Sequence, residues 1–173
     1  PVDRRQRQMC IRDRYYIMSK KIIAGNWKQN GNMKSSIKLA QDIIREVKKN
    51  NIKHEVIIFP PSLYLLPIKN INKREIINLG SQNVSAYNDG AFTGEISATM
   101  LKDSKIKYCL VGHSERRHIF NENDLSLCEK VSRLHENNIK VIYCIGETLK
   151  EYKTKKTKYI LNQQLRSLFE NLN

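Results

Sequence analysis

A repeat of short apolar runs is the feature that most constrains what this chain can fold into. Five runs begin near residues 22, 56, 76, 108 and 140, and most of them lie about 30 residues apart. Each run ends at a Gly or a Pro, and the stretches between them carry helical periodicity. This β-then-α alternation is typical of parallel strands joined by right-handed crossovers.

The same repeat distinguishes between two α/β architectures. No G-x-G-x-x-G fingerprint follows any of the five runs, which argues against a dinucleotide-binding sheet and favours a barrel. A parallel barrel of this kind closes with eight strands. The sequence therefore predicts an α/β fold, a (β/α)8 barrel that is incomplete here, with about five of eight βα units in residues 18–173.

Apolar residues at helical spacing predict the helices between the strands. The first helix is expected from about Ser35 to Lys49, with Ser35 or Ser36 as its N-cap. The other helices are expected from Ser62 to about Leu66, from Glu95 to Leu101, around residues 127–135, and from about Thr148 as one final helix. The strands are expected at residues 22–25, 56–59, 76–79, 108–111 and 140–145.

Residues 1–17 differ in composition from everything that follows. They are rich in Arg where the rest is rich in Lys, and they have neither a strand period nor a helix period. A transit-type segment is one interpretation, because such peptides are rich in Arg. The two acidic residues and the scarcity of Ser favour a non-native leader before a start at Met18. We therefore leave residues 1–17 out of the fold prediction.

The net charge of +14 raises the question of nucleic-acid binding. Seven of the basic residues lie within residues 1–21, and the candidate patches at Lys48–Lys49 and Lys153–Lys158 have no interleaved aromatic residues. The sequence therefore predicts no nucleic-acid partner. No apolar run reaches the roughly 18 residues that span a bilayer, so no membrane partner is predicted either. A modest positive field favours an anionic, phosphorylated substrate.

Four cysteines, Cys10, Cys109, Cys128 and Cys144, show no C-x-x-C spacing of a metal or redox site. Two of them lie in predicted buried strands. They are expected to be free thiols, which is typical of a reducing compartment and favours a cytoplasmic location.

Polar side chains follow three of the predicted strands. Asn26 and Lys28 follow the first strand, His113, Ser114 and Glu115 follow the fourth, and Glu147 follows the fifth. The carboxyl ends of parallel barrel strands meet on one face, where such folds carry their sites. A Lys beside a His in a cleft suits an anionic substrate with a carbonyl group to polarise.

Each of these residues also has a purely structural explanation. Lys28 alone fits a solvated loop, His113 alone fits a structural histidine, and Glu115 and Arg117 fit local charge pairs. The glycines in residues 89–94 fit turn geometry. The structural explanations weaken when these residues recur together at strand ends.

Six stretches carry a resemblance to a known family. The chain resembles the triosephosphate isomerases from about Lys21 to its end, which implies a TIM barrel. The matching stretches, in the family's order, are Ala24–Lys28, Pro60–Ser62, Gly80–Asn83, Gly90–Ser97, Val111–Arg117 and Cys144–Glu147.

The resemblance implies a chemistry that the residues alone do not define. It implies conversion of a phosphorylated triose between ketone and aldehyde through an enediol, with no cofactor and no metal. By resemblance, Lys28 holds the substrate anion and Asn26 orients that lysine and the substrate. His113 acts as a neutral electrophile on the carbonyl oxygen, and Ser114 and Glu115 support the site by hydrogen bonding.

The resemblance also implies an assembly. The loop around Phe92 and Thr93 resembles the one that family members insert into a neighbouring subunit, with Glu95 and Arg116 as cross-interface partners. A homodimer is therefore expected of the complete protein.

The chain departs from the family pattern at one point. The family's general base is a glutamate at the end of the sixth strand, followed by a lid and by phosphate loops, and no stretch before Asn173 matches these. The 173 residues alone are therefore expected to be inactive, with strands one and five as aggregation-prone edges. A non-catalytic truncated paralogue that pairs with an intact subunit is the alternative hypothesis.

Overall fold

Five parallel strands form one sheet in the computed structural model, which describes residues 21–172. The proposed leader, residues 1–17, and Cys10 lie outside these residues. The strands pair in chain order, so that β1 and β5 are the two edges of the sheet. Their bounds are Ile22–Asn26 (β1), Glu55–Phe59 (β2), Asn78–Ser81 (β3), Tyr108–Val111 (β4) and Lys140–Tyr143 (β5).

Helices connect successive strands, as parallel pairing requires. Seven helices lie within residues 21–172. Their bounds are Met33–Lys49 (α1), Ser62–Ile71 (α2), Ala98–Asp103 (α3), Ser114–His118 (α4), Asp124–Glu136 (α5), Leu149–Lys153 (α6) and Thr157–Asn171 (α7).

The register of the sheet brings the carboxyl ends of the strands to one side. Asn26 at the end of β1 pairs with Phe59 at the end of β2. At the other edge, Val111 at the end of β4 pairs with Tyr143 at the end of β5. Loops that follow these strands therefore leave the sheet on a common face, as the strand-end argument predicts.

The predicted cap of the first helix is wrong. Asn32 is the N-cap, and its side chain accepts a hydrogen bond from the Ser35 amide at 2.9 Å. Ser35 is the third helical residue and completes a capping box by accepting from the Asn32 amide at 2.9 Å. Asn and Ser are both strong N-caps, so composition alone does not separate them.

Two further predicted boundaries are wrong for physical reasons that the structure supplies. Helix α2 runs through Pro67 to Ile71 instead of ending near Leu66, because Ile68 in its last turn is fully buried in the core. Strand β3 begins at Asn78 instead of residue 76, since the side chain of Asn72 bonds both the Ile76 amide and the Ile77 carbonyl.

The final helical region is two helices instead of one. Thr154 follows α6 as its C-cap, and Lys155 adopts a left-handed backbone with φ of 56°. A single residue in this conformation ends a right-handed helix. Helix α7 then begins at Thr157.

Alternate residues of the strands face two different cores. Ile58, Cys109 and Val111 belong to a cluster that the helices cover, with Ala40 of α1 and Leu127 of α5 fully buried. Burying each large aliphatic side chain of this kind contributes about 1.5–3 kcal/mol. This layer between sheet and helices is the main hydrophobic core.

The second core lies on the opposite face of the sheet. Ile57, Phe59, Tyr108 and Leu110 form it, and the Phe59 ring lies directly over the backbone of Gly80. A Cβ at position 80 would overlap that ring. Gly80 is therefore required by the close approach of Phe59, which is the meaning of a glycine inside a strand here.

Polar side chains close the amino ends of four strands. Glu55, Asn78, Tyr108 and Lys140 are the first residues of β2, β3, β4 and β5. The Tyr108 hydroxyl donates to Glu55 Oε1, which also accepts from Asn78 Nδ2 at 2.8 Å. Lys140 Nζ donates to the Tyr108 hydroxyl oxygen at 3.1 Å. We call this group the amino-end network.

The edge strands are less covered than the central ones. Ile22 and Ile23 in β1 are 55% and 51% exposed, whereas every residue of β4 is buried.

Cys109, Cys128 and Cys144 are free thiols, and burial raises the pKa of the Cys109 thiol, which makes it unreactive. None of the helices in residues 21–172 has the length and apolar character needed to cross a bilayer.

Candidate active site

A cleft of about 690 Å³ opens at the carboxyl ends of the first four strands. Its lining combines amides, two carboxylates, a lysine and a histidine around a few apolar side chains. The polar lining includes Asn26, Lys28, Gln82, Asn83, Glu95, His113, Glu115 and Arg116. The cleft is thus lined by groups suited to a small polar anion.

Lys28 reaches the cleft from a turn that Asn26 builds. The Asn26 side-chain oxygen accepts a hydrogen bond from the Lys28 amide at 2.9 Å, which is an Asx turn at the end of β1. Lys28 has a positive φ of 53°. Asn26 therefore acts on the backbone that carries the amine.

The Lys28 amine forms an ion pair across the cleft. Its Nζ lies 2.8 Å from Glu115 Oε1, with the two side chains 52% and 40% exposed. The hydrogen bond from Lys28 lowers the pKa of Glu115, and the charge of the Lys28 amine adds to this. A pair this exposed contributes little to stability, about 0–1 kcal/mol. The pair holds the Lys28 amine in the cleft, and this placement is its main consequence.

His113 lies at the start of α4 with its ring turned onto the helix. Nδ1 accepts a hydrogen bond from the Glu115 amide at 3.4 Å. Nδ1 is also 3.4 Å from Glu115 Oε2, an ion pair that would need a proton on the same nitrogen. The amide is the better partner, because the first N–H groups of a helix favour an acceptor. The neutral ring then carries its proton on Nε2.

The remaining predicted site residues are not equally placed. Ser114 is exposed at the first position of α4 and is not among the residues that line the cleft in residues 21–172. Glu147 follows β5 at the same end of the sheet, as predicted, but it is not among the residues that line the cleft. Its Oε1 accepts a hydrogen bond from the Thr157 hydroxyl at 3.0 Å, because the turn after β5 directs it towards α7.

The loop predicted to enter a neighbouring subunit is well defined within the chain. Phe92 stacks on Tyr87 with ring centroids 4.4 Å apart and planes 6° from parallel, and Phe92 remains 41% exposed. Thr93 is exposed beside it, and Glu95 borders the cleft. The contact with a second subunit stays a prediction.

Arg116 belongs to a buried charge cluster that sequence reasoning missed. Glu122 accepts from both Arg116 and Lys130 at 2.5 Å, and Lys130 is only 4% exposed. Lys130 also donates to Asn83 Oδ1 at 2.7 Å. Burial lowers the pKa of Lys130, and the hydrogen bond to Glu122 opposes this.

A signal for this cluster was present in the sequence. Lys130 falls within the apolar stripe that Leu127, Val131 and Leu134 form on α5, all of which are buried. A charged residue inside such a stripe is almost always paired when buried. Gln82, which bridges two backbone carbonyls beside Lys28, lies in the matching stretch Gly80–Asn83, but no role was predicted for it.

Comparison with known proteins identifies the family. The sequence model described as triosephosphate isomerase matches residues 21–173. The chain belongs to the triosephosphate isomerase family. The resemblance drawn from the six stretches is thereby confirmed, and so is the fold prediction of a TIM barrel represented by five βα units.

Curated members of this family share about two fifths of their residues with the chain. The triosephosphate isomerase of Buchnera aphidicola subsp. Baizongia pistaciae is 43% identical over 159 residues, covering 88% of this chain and 62% of that protein. That of Alkaliphilus oremlandii is 42% identical over 153 residues, covering 88% and 61%. That of Francisella tularensis subsp. holarctica (strain LVS) is 41% identical over 152 residues, covering 88% and 59%. The chain spans about three fifths of the length of these relatives.

Proposed function

We propose that the complete protein interconverts dihydroxyacetone phosphate and glyceraldehyde 3-phosphate through an enediol, in glycolysis and gluconeogenesis. The observation that carries this proposal is the meeting of a lysine and a histidine over one cleft, with Lys28 Nζ 2.8 Å and His113 Nδ1 3.4 Å from the same Glu115 carboxylate. Membership of the triosephosphate isomerase family supplies the reaction that such a pair serves.

Each polar group has a role in this reaction. Lys28 binds the substrate anion, and its exposed pair with Glu115 is weak enough to be exchanged for it. His113 donates from Nε2–H to the substrate carbonyl oxygen and stabilises the negative charge that forms there. Asn26 orients Lys28 through the Asx turn. Glu115 accepts from Lys28 and, with Ser114, supports the site.

Proton abstraction needs a carboxylate that faces the substrate carbon. Among residues 21–172, the carboxylates lining the cleft are Glu95 and Glu115, and Glu115 is held by Lys28. By family resemblance the base is a glutamate after a sixth strand. The 173 residues produced as an isolated polypeptide are therefore expected to turn over substrate at least about 10²–10⁴-fold more slowly than the complete protein.

The family also supports an assembly and a location for the complete protein. We propose a cytoplasmic homodimer in which the loop carrying Phe92 and Thr93 contacts the second subunit, with Glu95 and Arg116 beside it. The exposed, stacked Tyr87–Phe92 pair gives that loop an apolar tip. Analytical ultracentrifugation of the complete protein tests this, and a purely monomeric species at micromolar concentration would refute it.

A coupled turnover assay with glyceraldehyde 3-phosphate tests the reaction. The complete gene product is expected to be active, and Lys28→Met is expected to reduce kcat/KM by at least about 100-fold, because the anion loses its charged partner. Lys38→Met, which changes an exposed lysine of α1, is the matched control and should retain full activity. Absence of turnover by the unmodified complete protein would refute the proposal.

A further inference from the structure

The backbone that carries Lys28 is in an unfavourable conformation. Its φ of 53° lies in the left-handed region, which costs a residue with a Cβ roughly 1–2 kcal/mol. Such a conformation persists only where surrounding contacts fix it. With this backbone conformation, the Lys28 Nζ lies 2.8 Å from Glu115 Oε1 in the cleft.

Two side-chain amides hold the peptide groups on either side of this residue. Asn26 Oδ1 accepts from the Lys28 amide at 2.9 Å. On the opposite side, Gln82 Nε2 donates to the Lys28 carbonyl oxygen at 2.8 Å. The left-handed residue is thus fixed both before and after its Cα.

Gln82 connects this turn to two further strands. It follows β3 directly, and its Nε2 also donates to the Phe59 carbonyl at the end of β2, at 2.8 Å. That carbonyl additionally accepts from the Trp27 amide at 3.0 Å. One amide nitrogen therefore ties the turn after β1 to the ends of β2 and β3.

The chemistry of the contact is specific for a neutral amide. The carbonyl oxygens of Lys28 and Phe59 face the same nitrogen of Gln82, so the side chain must present its NH₂ group there. The two N–H bonds of this group donate to one carbonyl oxygen each. A carboxylate of the same size would place negative oxygen against two carbonyls. A thioether of similar length would leave both carbonyls without this donor.

We infer that Gln82 is a positioning residue for the reaction, which acts by holding the Lys28 backbone so that the amine meets the substrate anion. This inference rests on the proposed isomerase function and deepens it. Gln82 acts through Lys28, and its removal lets the turn relax towards an ordinary backbone conformation that displaces the amine. A displacement of about 1 Å at a positioning group is enough to lose up to about 100-fold in rate.

A double-mutant cycle in the complete protein tests the inference. Gln82→Met is expected to reduce kcat/KM by about 10- to 100-fold, with unfolding still cooperative. In a Lys28→Met background the same change is expected to cost less than about 3-fold, because the residue through which it acts is already gone. Gln82→Glu, which is isosteric, should behave like Gln82→Met, and Gln41→Met on exposed α1 is the matched control.

The outcomes separate the two proposals. If the unmodified complete protein has no turnover, the proposed function fails and this inference fails with it. If the protein turns over substrate but Gln82→Met and Gln82→Glu do so equally well, only the inference fails. Fully additive losses from Gln82→Met and Lys28→Met would also overturn it, since they would mean that Gln82 acts independently of the lysine.

Discussion

The two ends of the sheet use polar side chains in opposite ways. At the amino ends, Glu55 accepts hydrogen bonds from Asn78 and Tyr108, and Tyr108 is only 3% exposed. At the carboxyl ends, Lys28 and Glu115 pair in an open cleft with 52% and 40% of their side chains exposed. One sheet thus carries a partly buried polar network at one end and an exposed ion pair at the other.

The difference separates what stabilises the fold from what binds a ligand. A buried polar group is costly to leave without its partner, so the amino-end network favours one arrangement of the strands. The exposed carboxyl-end pair adds little to stability, and in the proposed reaction the substrate anion replaces it. Substitutions at the amino end should therefore change unfolding, and those at the carboxyl end should change turnover.

The largest expected effect is on turnover, from His113→Gln. Loss of the imidazole should reduce kcat/KM by about 10²–10⁴-fold, because the carbonyl oxygen loses its electrophile. The free energy of unfolding should change by less than about 1 kcal/mol, since the 3.4 Å bond that Nδ1 accepts is long. His135→Gln, on the exposed side of α5, is the control for both measurements. If His113→Gln lowered the free energy of unfolding as well as the activity, the carboxyl ends would also stabilise the fold, and the distinction between the two ends would fail.

Gly80→Ala tests the layer between the two ends. The new Cβ would overlap the Phe59 ring, and overpacking of this kind destabilises by about 1–3 kcal/mol. Denaturant unfolding of the complete protein measures this. Gly146→Ala is the matched control, because nothing lies within 4 Å of the Cβ it would add. Equal stability of the two variants would mean that Phe59 moves freely away from the sheet.

Tyr108→Phe removes the hydroxyl from the amino-end network. Glu55 loses its hydrogen bond from the tyrosine, which should reduce the free energy of unfolding by about 1–2 kcal/mol. The kcat/KM value should stay unchanged, because the hydroxyl lies at the opposite end of the strands from the cleft. Tyr152→Phe, at a 65% exposed position, should alter neither quantity. Loss of turnover in Tyr108→Phe would show that the two ends are coupled.

The smallest expected effect is a dependence of stability on alkaline pH. Burial, and then the hydrogen bond to Glu55, raise the pKa of Tyr108. The contribution of the neutral tyrosine is complete below the unfolded-state pKa of about 10 and is lost as pH rises towards the folded-state value. Stability of the unmodified protein should therefore fall more steeply above pH 10 than that of Tyr108→Phe. Identical slopes in urea unfolding between pH 9 and 11 would contradict this.

Sequence periodicity was sufficient for the architecture and for part of the site. All five strand starts were predicted within two residues, because each strand coincides with a short apolar run. Asn26, Lys28, His113 and Glu115 were predicted to meet, since parallel strands bring their carboxyl ends together, and they do line one cleft.

The errors have a common physical origin. Tertiary hydrogen bonds and close packing set features that no local pattern carries. Asn72 delays the start of β3, and the hydrogen bond from Thr157 keeps Glu147 away from the cleft. Gln82 was overlooked for the same reason, because its two carbonyl partners come from residues 54 and 23 positions away in the chain.

At position 28, the backbone conformation and the proposed reaction favour different residues. A glycine would adopt a φ of 53° without the steric penalty of a Cβ, so the backbone alone favours glycine there. The proposed reaction, in contrast, requires the lysine amine. A library randomised at position 28 and sorted only for folded protein should therefore drift towards glycine or asparagine. The same library selected for growth that depends on the isomerase activity should yield lysine at position 28.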